Sequence, residues 1–332
     1  MKSWLLLRLA KKSPLAFFLI CLLIFLAIFA DFIASPLPYL VWANHTEHDI
    51  PLSPLFAELT QGRTSSLPYR RLAAEGKIKA LFAPIPFSPY ETNLDEVLAP
   101  PKLARFAHYM GTDNLGRDVA ARLIHGTRNS ILVGFVAVAL ALILGLIMGS
   151  LAGYLGGFAD IFISRFIEVV ICFPTLILIL AVLSLLKPSL LNIMIVIGAT
   201  GWTGIARVIR GEFLKRKHAD FVLASRLMGA SHLRLILKHI LPNSLPPVIV
   251  ISAFGIAGAV LTESALSFLG IGVPAPEPSW GDVLKLSQDY PDIAWWLTIF
   301  PGCFIFLTVV AFNRLGDTLR EELNPRETFK DS

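Results

Sequence analysis

Six stretches of this 332-residue chain are too long and too apolar to be core helices of a water-soluble domain. They are Leu15–Ile33, Ile131–Leu151, Ile161–Leu186, Leu190–Ala206, Pro246–Leu266 and Trp295–Phe312. At 1.5 Å rise per residue each can cross, or nearly cross, the ~30 Å hydrocarbon layer of a bilayer. A spanning segment must satisfy its own backbone polar groups, which a helix does. The expected fold class is therefore an all-α polytopic membrane protein with six transmembrane helices, surrounded by membrane lipid. Composition agrees, with 55% hydrophobic and 16% charged residues. The net charge of +5 would suggest nucleic acid in a soluble chain. Here the excess falls in particular loops, so the positive-inside bias of membrane proteins accounts for it and no nucleic-acid partner is expected.

The charge distribution orients the chain. Lys2, Arg8, Lys11 and Lys12 precede the first apolar run with no acid among them, which places the N-terminus in the cytoplasm. Leu15–Ile33 exceeds the usual apolar core of a signal peptide, so it reads as an uncleaved anchor despite the small residues Ala34-Ser35. Residues 1–34 form this N-terminus and anchor, and 35–128 a proline-rich extracytoplasmic insert, with short helices expected within Phe56–Lys79. Residues 129–316 form the transmembrane core and 317–332 a charged cytoplasmic tail. Eight basic residues against two acids between Arg207 and His239 mark a cytoplasmic loop, assigned to 207–243. Phe268–Asp292, with four acids and one lysine, reads as outer loop, and Trp295 and Trp296 as interfacial anchors.

Within the spans, Gly145, Gly149 and Gly153 recur every fourth residue and present a face for close helix approach. Tyr154–Asp160 is a tight turn, Lys187-Pro188 another, and Pro174 a kink in the third span. Gly198, Gly201 and Gly204 loosen the fourth. Arg165 and Glu168 form a local ion pair, with a pathway-lining role as the alternative. Glu263 lies near the outer end of the fifth span, as a packing or hydrogen-bonding residue. Cys21, Cys172 and Cys303 sit in apolar runs without metal-ligand spacing and read as buried small hydrophobes. His45 and His48 lack further ligands at matching spacing, so a solvated loop is expected there and no metal site.

Two polar segments stand out. Phe221–Asn243 reads as a short helix, a turn at Gly229 and a second amphipathic helix that carries Leu233, Ile236, Leu237 and Ile240 and stops at Pro242. Its small residues Ala224, Ser225, Gly229 and Ala230 suit a partner's groove, and a basic helix on anionic lipid is the alternative. The segment resembles the coupling loop of permease subunits in bacterial ATP-binding-cassette (ABC) importers. Ala224 falls on the first alanine of that pattern, Gly229 on its glycine and Leu241-Pro242 on its ending. Leu223 replaces the usual glutamate and Ser225 the second alanine. By that resemblance Phe221, Val222, Ala224, Ser225, Gly229, Ala230, His239, Leu241, Pro242 and Asn243 are the expected ATPase-coupling residues. Met110–Gly134 contains Gly111, Thr112, Asp113, Gly116, Arg117, Asp118 and Arg122 in a G-T-D-x-x-G-R-D-x-x-x-R pattern. Thr112 or Asp113 is expected to cap a helix, with Arg117 and Asp118 paired near its start and the cluster acting as a structural clamp. That pattern, with ESALSFLGIGV, PSWGDVL and LTVVAFNRLGDTLREELNPR later on, resembles the dipeptide/oligopeptide/nickel branch of the same permeases.

The resemblance implies the type I ABC importer permease fold, with the insert after its first span, in a bacterial inner membrane. It implies a homologous second permease, two ATPase subunits, an extracytoplasmic solute-binding protein and a peptide substrate. Nickel or another small solute is the alternative cargo. The chain has no G-x-x-x-x-G-K-[ST] loop, so ATP is expected on the partner subunits and no cofactor on this one. No paired catalytic groups mark an intramembrane enzyme, and a non-transporting scaffold leaves the coupling loop unexplained.

Overall fold

The computed structural model describes residues 10–43, 53–61, 68–104 and 106–323. His45 and His48 lie outside the described residues, as does the chain beyond Leu323. Helices dominate: α1 (Pro14–Ile28), α2 (Ala30–Ile33), α3 (Pro54–Gln61), α4 (Tyr69–Ala74), α5 (Val119–Leu155), α6 (Gly157–Cys172) and α7 (Thr175–Ser184) come first. They are followed by α8 (Leu190–Arg216), α9 (Asp220–Leu227), α10 (His232–Arg234), α11 (Leu241–Phe268), α12 (Trp280–Lys285) and α13 (Trp296–Leu323).

Among the described residues, four helices are long and apolar enough to cross a membrane: α5, α8, α13, and α11 extended back to His232. The pair α6–α7 makes a fifth span if counted as one, bent by 84°. Pro174 is the cause. It has no N–H to continue the ladder of α6, and it stands as the residue before α7. The expected first span falls short of a crossing length as one helix: α1 has 15 residues and breaks at Phe29 before α2, so the described residues give up to five spans where six were expected. The bonds Phe29 N–H to Phe25 O and Ile33 N–H to Phe29 O carry the helical pattern across that break.

Other spans run beyond the apolar blocks that announce them. α5 begins at Val119, well before Ile131. α8 continues unbroken to Arg216, so Gly198, Gly201 and Gly204 do not loosen it. α13 extends through Leu323, so the start of the charged tail is helical. Pro242 ends nothing: the π-helical turn Leu235–Ile240 leads directly into α11. A π-turn widens the helix, which lets a ring without an N–H be carried through.

The chain divides into two compact units. One comprises the described residues within Met1–Cys21, Leu132–Leu266 and Phe306–Ser332. Its defining contact is between α5 and α8. A Cβ added to Gly145 would lie 2.7 Å from Ile205, one on Gly149 2.5 Å from the Ala206 carbonyl, and one on Gly153 2.5 Å from Phe213. Gly198 meets the Ala137 carbonyl in the same way. The contacts advance together along both helices, so α5 and α8 run parallel, with backbones closer than any side chain allows. Trp202, Ile205, Ile209 and Phe213 of α8 anchor the core beside this seam. α11 runs opposite to α5, with Gly134 against Ile256 and Val260, and Gly255 against Val138. α13 runs opposite to α11, since Gly316 packs on Phe254, and Leu319 joins Val250 and Ala253. Lys12 pairs with Glu322 at 2.9 Å, which sets the start of α1 beside the end of α13.

The other unit comprises Leu22–Ile131 and Ser267–Ile305. The insert supplies a small antiparallel ladder, β1 (Leu40–Ala43) with β2 (Ile78–Leu81), in the register Leu40↔Leu81 to Ala43↔Ile78. α3 and α4 close over it, burying Leu37, Val41, Leu55, Tyr69 and Ile78.

The cysteines are not buried: Cys21, Cys172 and Cys303 are all exposed on the isolated chain. Apolar residues on a membrane helix face outward as readily as inward, so their setting in apolar runs does not fix their side.

Candidate functional site

The segment Asp220–Asn243 is held by a few buried apolar residues beneath an exposed apolar tip. Val222, Leu235 and Ile240 are fully buried in the core around Trp202, Ile209 and Phe213. Ser225 is also buried, its Oγ donating to the Phe221 carbonyl at 2.8 Å. α9 closes in a Schellman turn, with Ala230 N–H on the Ser225 carbonyl (3.1 Å) and Gly229 N–H on that of Arg226 (3.0 Å). Gly229 has φ +81°, the left-handed conformation that this turn requires and that favours glycine. Ser231 Oγ then caps the next helix at Arg234 N–H, and the Tyr154 hydroxyl meets His232 Nδ1 at 2.6 Å.

The outer surface is apolar. Leu227 is 89% and Met228 81% exposed, with Phe221, Leu223, Leu233 and Leu237 beside them. Ala224 is exposed, Ala230 partly so, and nothing stands within 4 Å of a Cβ built on Gly229. The second half departs from the sequence pattern: Leu233 and Leu237 face outward, while Leu235 and Ile240 make the buried contact. Their five-residue spacing is that of the π-turn, which a 3.6-residue period cannot anticipate. His239 and Leu241 are half-buried, Pro242 and Asn243 exposed, and Asn243 Nδ2 donates to the His239 carbonyl at 2.7 Å.

Residues 111–122 form a buried polar network in the other unit. Asp113, with no exposure, accepts the N–H groups of Leu115 (2.8 Å) and Arg117 (3.0 Å) and Arg117 Nε (2.7 Å). Arg117 therefore pairs with Asp113 and not with Asp118. The helix cap is Asp118, whose Oδ1 accepts Ala121 N–H at 2.6 Å. Neither Thr112 nor Asp113 caps it, because the chain turns once more at Gly116 before α5 begins. Gly116 combines φ +70° with a close pass over the Asn93 carbonyl that no Cβ survives. Thr112 accepts Ala99 N–H at 2.7 Å, and its carbonyl accepts Trp296 Nε1 at 3.0 Å. Trp296 is thus buried, unlike the exposed Trp295, and serves as an internal strut. Gly111 lies against the same indole.

Arg122 is almost fully buried and reaches Asp282 through Nη2, with Asp113 3.6 Å from its Nε. Asp282 belongs to α12, where Trp280 is fully buried and donates Nε1–H to the Leu123 carbonyl at 3.1 Å. Asn129 Nδ2 adds a bond to the Pro278 carbonyl at 2.8 Å. The GTDNLGRD and PSWGD stretches are therefore one assembly. His108 completes it, with Nδ1 2.7 Å from Asp118 Oδ2 and Nε2 3.1 Å from Glu96 Oε2. Burial pushes the pKa of His108 down, but hydrogen bonds and charge from Asp118 and Glu96 outweigh it and raise the value above 6.5. Sequence reasoning missed His108, Glu96 and Asp282, whose partners lie 10 to 160 residues away.

Arg165 and Glu168 pair with each other on α6, and Glu263 is fully buried in α11. Among α5, α7, α8 and α11 lies a cavity of about 200 Å³, lined in part by Thr175, Thr200, Gly204, Ser252, Gly258 and Thr262, with no charged residue.

Long apolar helices and a glycine-zipped parallel helix pair define a polytopic helical membrane protein. The chain belongs to the family of binding-protein-dependent transport system inner membrane components, whose model matches residues 141–328. It is accordingly a multi-pass inner-membrane permease of the ABC importer type, a transporter component and not an enzyme, which works with ATPase and binding-protein partners. It is 41% identical over 254 residues to the di/tripeptide transport system permease protein DppC of Pseudomonas aeruginosa, covering 74% of this chain and 83% of that one. Its identity to the dipeptide transport system permease protein DppC of Escherichia coli K12 is 42%, over 73% of this chain and 81% of that one. Among solved structures, the MetNI methionine ABC transporter in an inward-facing conformation matches with a TM-score of 0.51. That match covers 60% of this chain and 95% of that chain at 16% identity, and it shows the fold.

Proposed function

We propose that the chain is one of two homologous permease subunits of a peptide importer, with 207–243 as the docking segment for an ATPase and both termini in the cytoplasm. The observation that carries the docking assignment is the tip at Leu227–Met228. These large apolar side chains stand free while Val222, Leu235 and Ile240 root the segment in the bundle, so a push on the tip reaches α8 through packed contacts. An exposed apolar knob on a basic segment fits a protein groove. The GTDxxGRD residues act as a structural clamp: every charged member is engaged by a neighbour in its own unit, which leaves none free for chemistry. The uncharged cavity suits a passage for solutes whose side chains vary, and the names of the relatives favour peptide over nickel. ATP is bound by the partner subunits, and the chain itself needs no cofactor. The test is co-expression with the ATPases, second permease and binding protein, then purification and reconstitution. Co-purifying ATPase and binding-protein-dependent peptide uptake support the reading. A chain that purifies without ATPase, or a complex that takes up nickel and no peptide, contradicts it.

A further inference from the structure

The exposed ion pair on α6 is out of place on a lipid-facing helix. Arg165 and Glu168 have side chains 74% and 57% exposed, and among the described residues their polar contact is with each other. α6 touches its unit through the buried Ile163 and Ile167, through Phe166 stacked on Trp202, and through Asp160 paired with Arg210 of α8. The opposite stripe Ile161, Arg165, Glu168 and Cys172 is uncovered. Glu168 stands eleven residues from the first residue of α6, about 16 Å along the axis and close to half the hydrocarbon thickness. An arginine or an acid at mid-bilayer is costly to insert, so acyl chains are poor company for this face. A guanidinium has five donors and a carboxylate several acceptor sites, and one bond uses few of them. An apolar partner surface would strand the remainder, whereas water satisfies it.

We propose that the Arg165–Glu168 face of α6 lines a water-filled passage, where the pair opens to receive the opposite charges of a zwitterionic peptide. The self-paired cation and anion keep the wall neutral overall, so solutes of either net charge are tolerated. The inference rests on the peptide-importer reading. Loss of ATPase co-purification would sink that reading, while the experiment below concerns only this face.

Replacing Cys21 and Cys303 by Ser leaves Cys172, one turn beyond Glu168, as the sole thiol of this chain, and a further Cys172→Ser variant accounts for thiols on the other subunits. The complete transporter carrying this chain is placed in lipid nanodiscs, which leave both membrane faces open, and treated with a charged, membrane-impermeant methanethiosulfonate. Cys172 should be modified, and the same modification in proteoliposomes should abolish peptide uptake while the ATPases stay bound. Modification only by a lipophilic maleimide would assign the face to lipid, and modification by neither reagent would assign it to the second permease. Modification without loss of uptake would place the face outside the passage. Each of these three outcomes overturns the proposal. For the charges themselves, Glu168→Gln should shift uptake severalfold from peptides with an extra amine toward those with an extra carboxylate. An unchanged ratio would remove the charge-receiving role.

Discussion

At the scale of single residues, the polar network around α5 shows how a buried charge is tolerated. Both ring nitrogens of His108 face carboxylates, and a neutral imidazole can donate from only one of them. The imidazolium is therefore the form that fits, and its raised pKa means that folding holds the proton. A group with a raised folded pKa contributes stability that is fully present below about pH 6.5, its ordinary value, and lost as pH rises through the folded value. We expect the melting temperature of the purified complex to fall as pH is raised from about 6 to about 9, with His108→Gln flattening that slope and costing about 1–3 kcal/mol below it. An identical slope in the variant would show that another group titrates. Arg122 is the second case. Removing it leaves Asp282 without its cation and Asp113 with Arg117 alone, a loss of about 3–5 kcal/mol for breaking a largely buried pair. Arg122→Ala, and more mildly Arg117→Ala, should lower the amount of assembled complex in membranes far more than turnover per complex, measured by quantitative blotting beside uptake. Normal abundance with abolished uptake would make these arginines part of the passage.

At the scale of elements, the glycine stripe and the coupling segment make separable predictions. Gly149→Leu drives a side chain into the Ala206 carbonyl and Ile209, where overpacking costs about 1–3 kcal/mol and the parallel seam has no slack. It should reduce the thermal stability of the detergent-solubilised chain, whereas Gly258→Leu, with nothing within 4 Å of its Cβ, should leave stability unchanged. Equal effects would argue against close packing at Gly149. Gly229 has open space around it but a left-handed backbone, so Gly229→Ala strains the turn by about 1–2 kcal/mol and little more. Gly229→Glu adds bulk and charge beside Leu227 and Met228 and should leave membrane insertion intact while releasing or uncoupling the ATPase. Pull-down of bound ATPase together with binding-protein-stimulated hydrolysis decides it, and normal values for both would remove the loop from coupling. What could be read from the sequence follows the same division. Apolar length, a four-residue glycine period and a proline at a helix break are local signals, and they announce the spans, the α5–α8 seam and the bend at Pro174. The π-turn before Pro242, the outward cysteines and the convergence of Arg122 with Asp282 depend on partners far along the chain. No period or spacing encodes them.

At the scale of the whole molecule, helix directions settle how the bent pair α6–α7 should be counted. α5 and α8 run parallel, so the chain leaving α5 must cross back before α8 begins, and α6–α7 is the only stretch between them. A re-entrant loop would return it to the wrong side, so the pair acts as one full crossing in spite of its 84° bend. α11 opposes α8, α13 opposes α11, and Lys12 at the start of α1 pairs with Glu322 at the end of α13. The ends of α5, α8 and α13, the start of α1 and the coupling segment therefore share one side. The orientation proposed above, with the basic excess of Arg207–His239 on the inner face, would make that side cytoplasmic. Reporter fusions after Lys217 and Glu322 should read inside, and those after Leu40 and Gly270 outside. The informative comparison is between fusions after Leu155 and Leu186, at the two ends of the bent pair. They should report opposite sides, and the same side at both would make α6–α7 re-entrant and the parallel packing of α5 on α8 untenable.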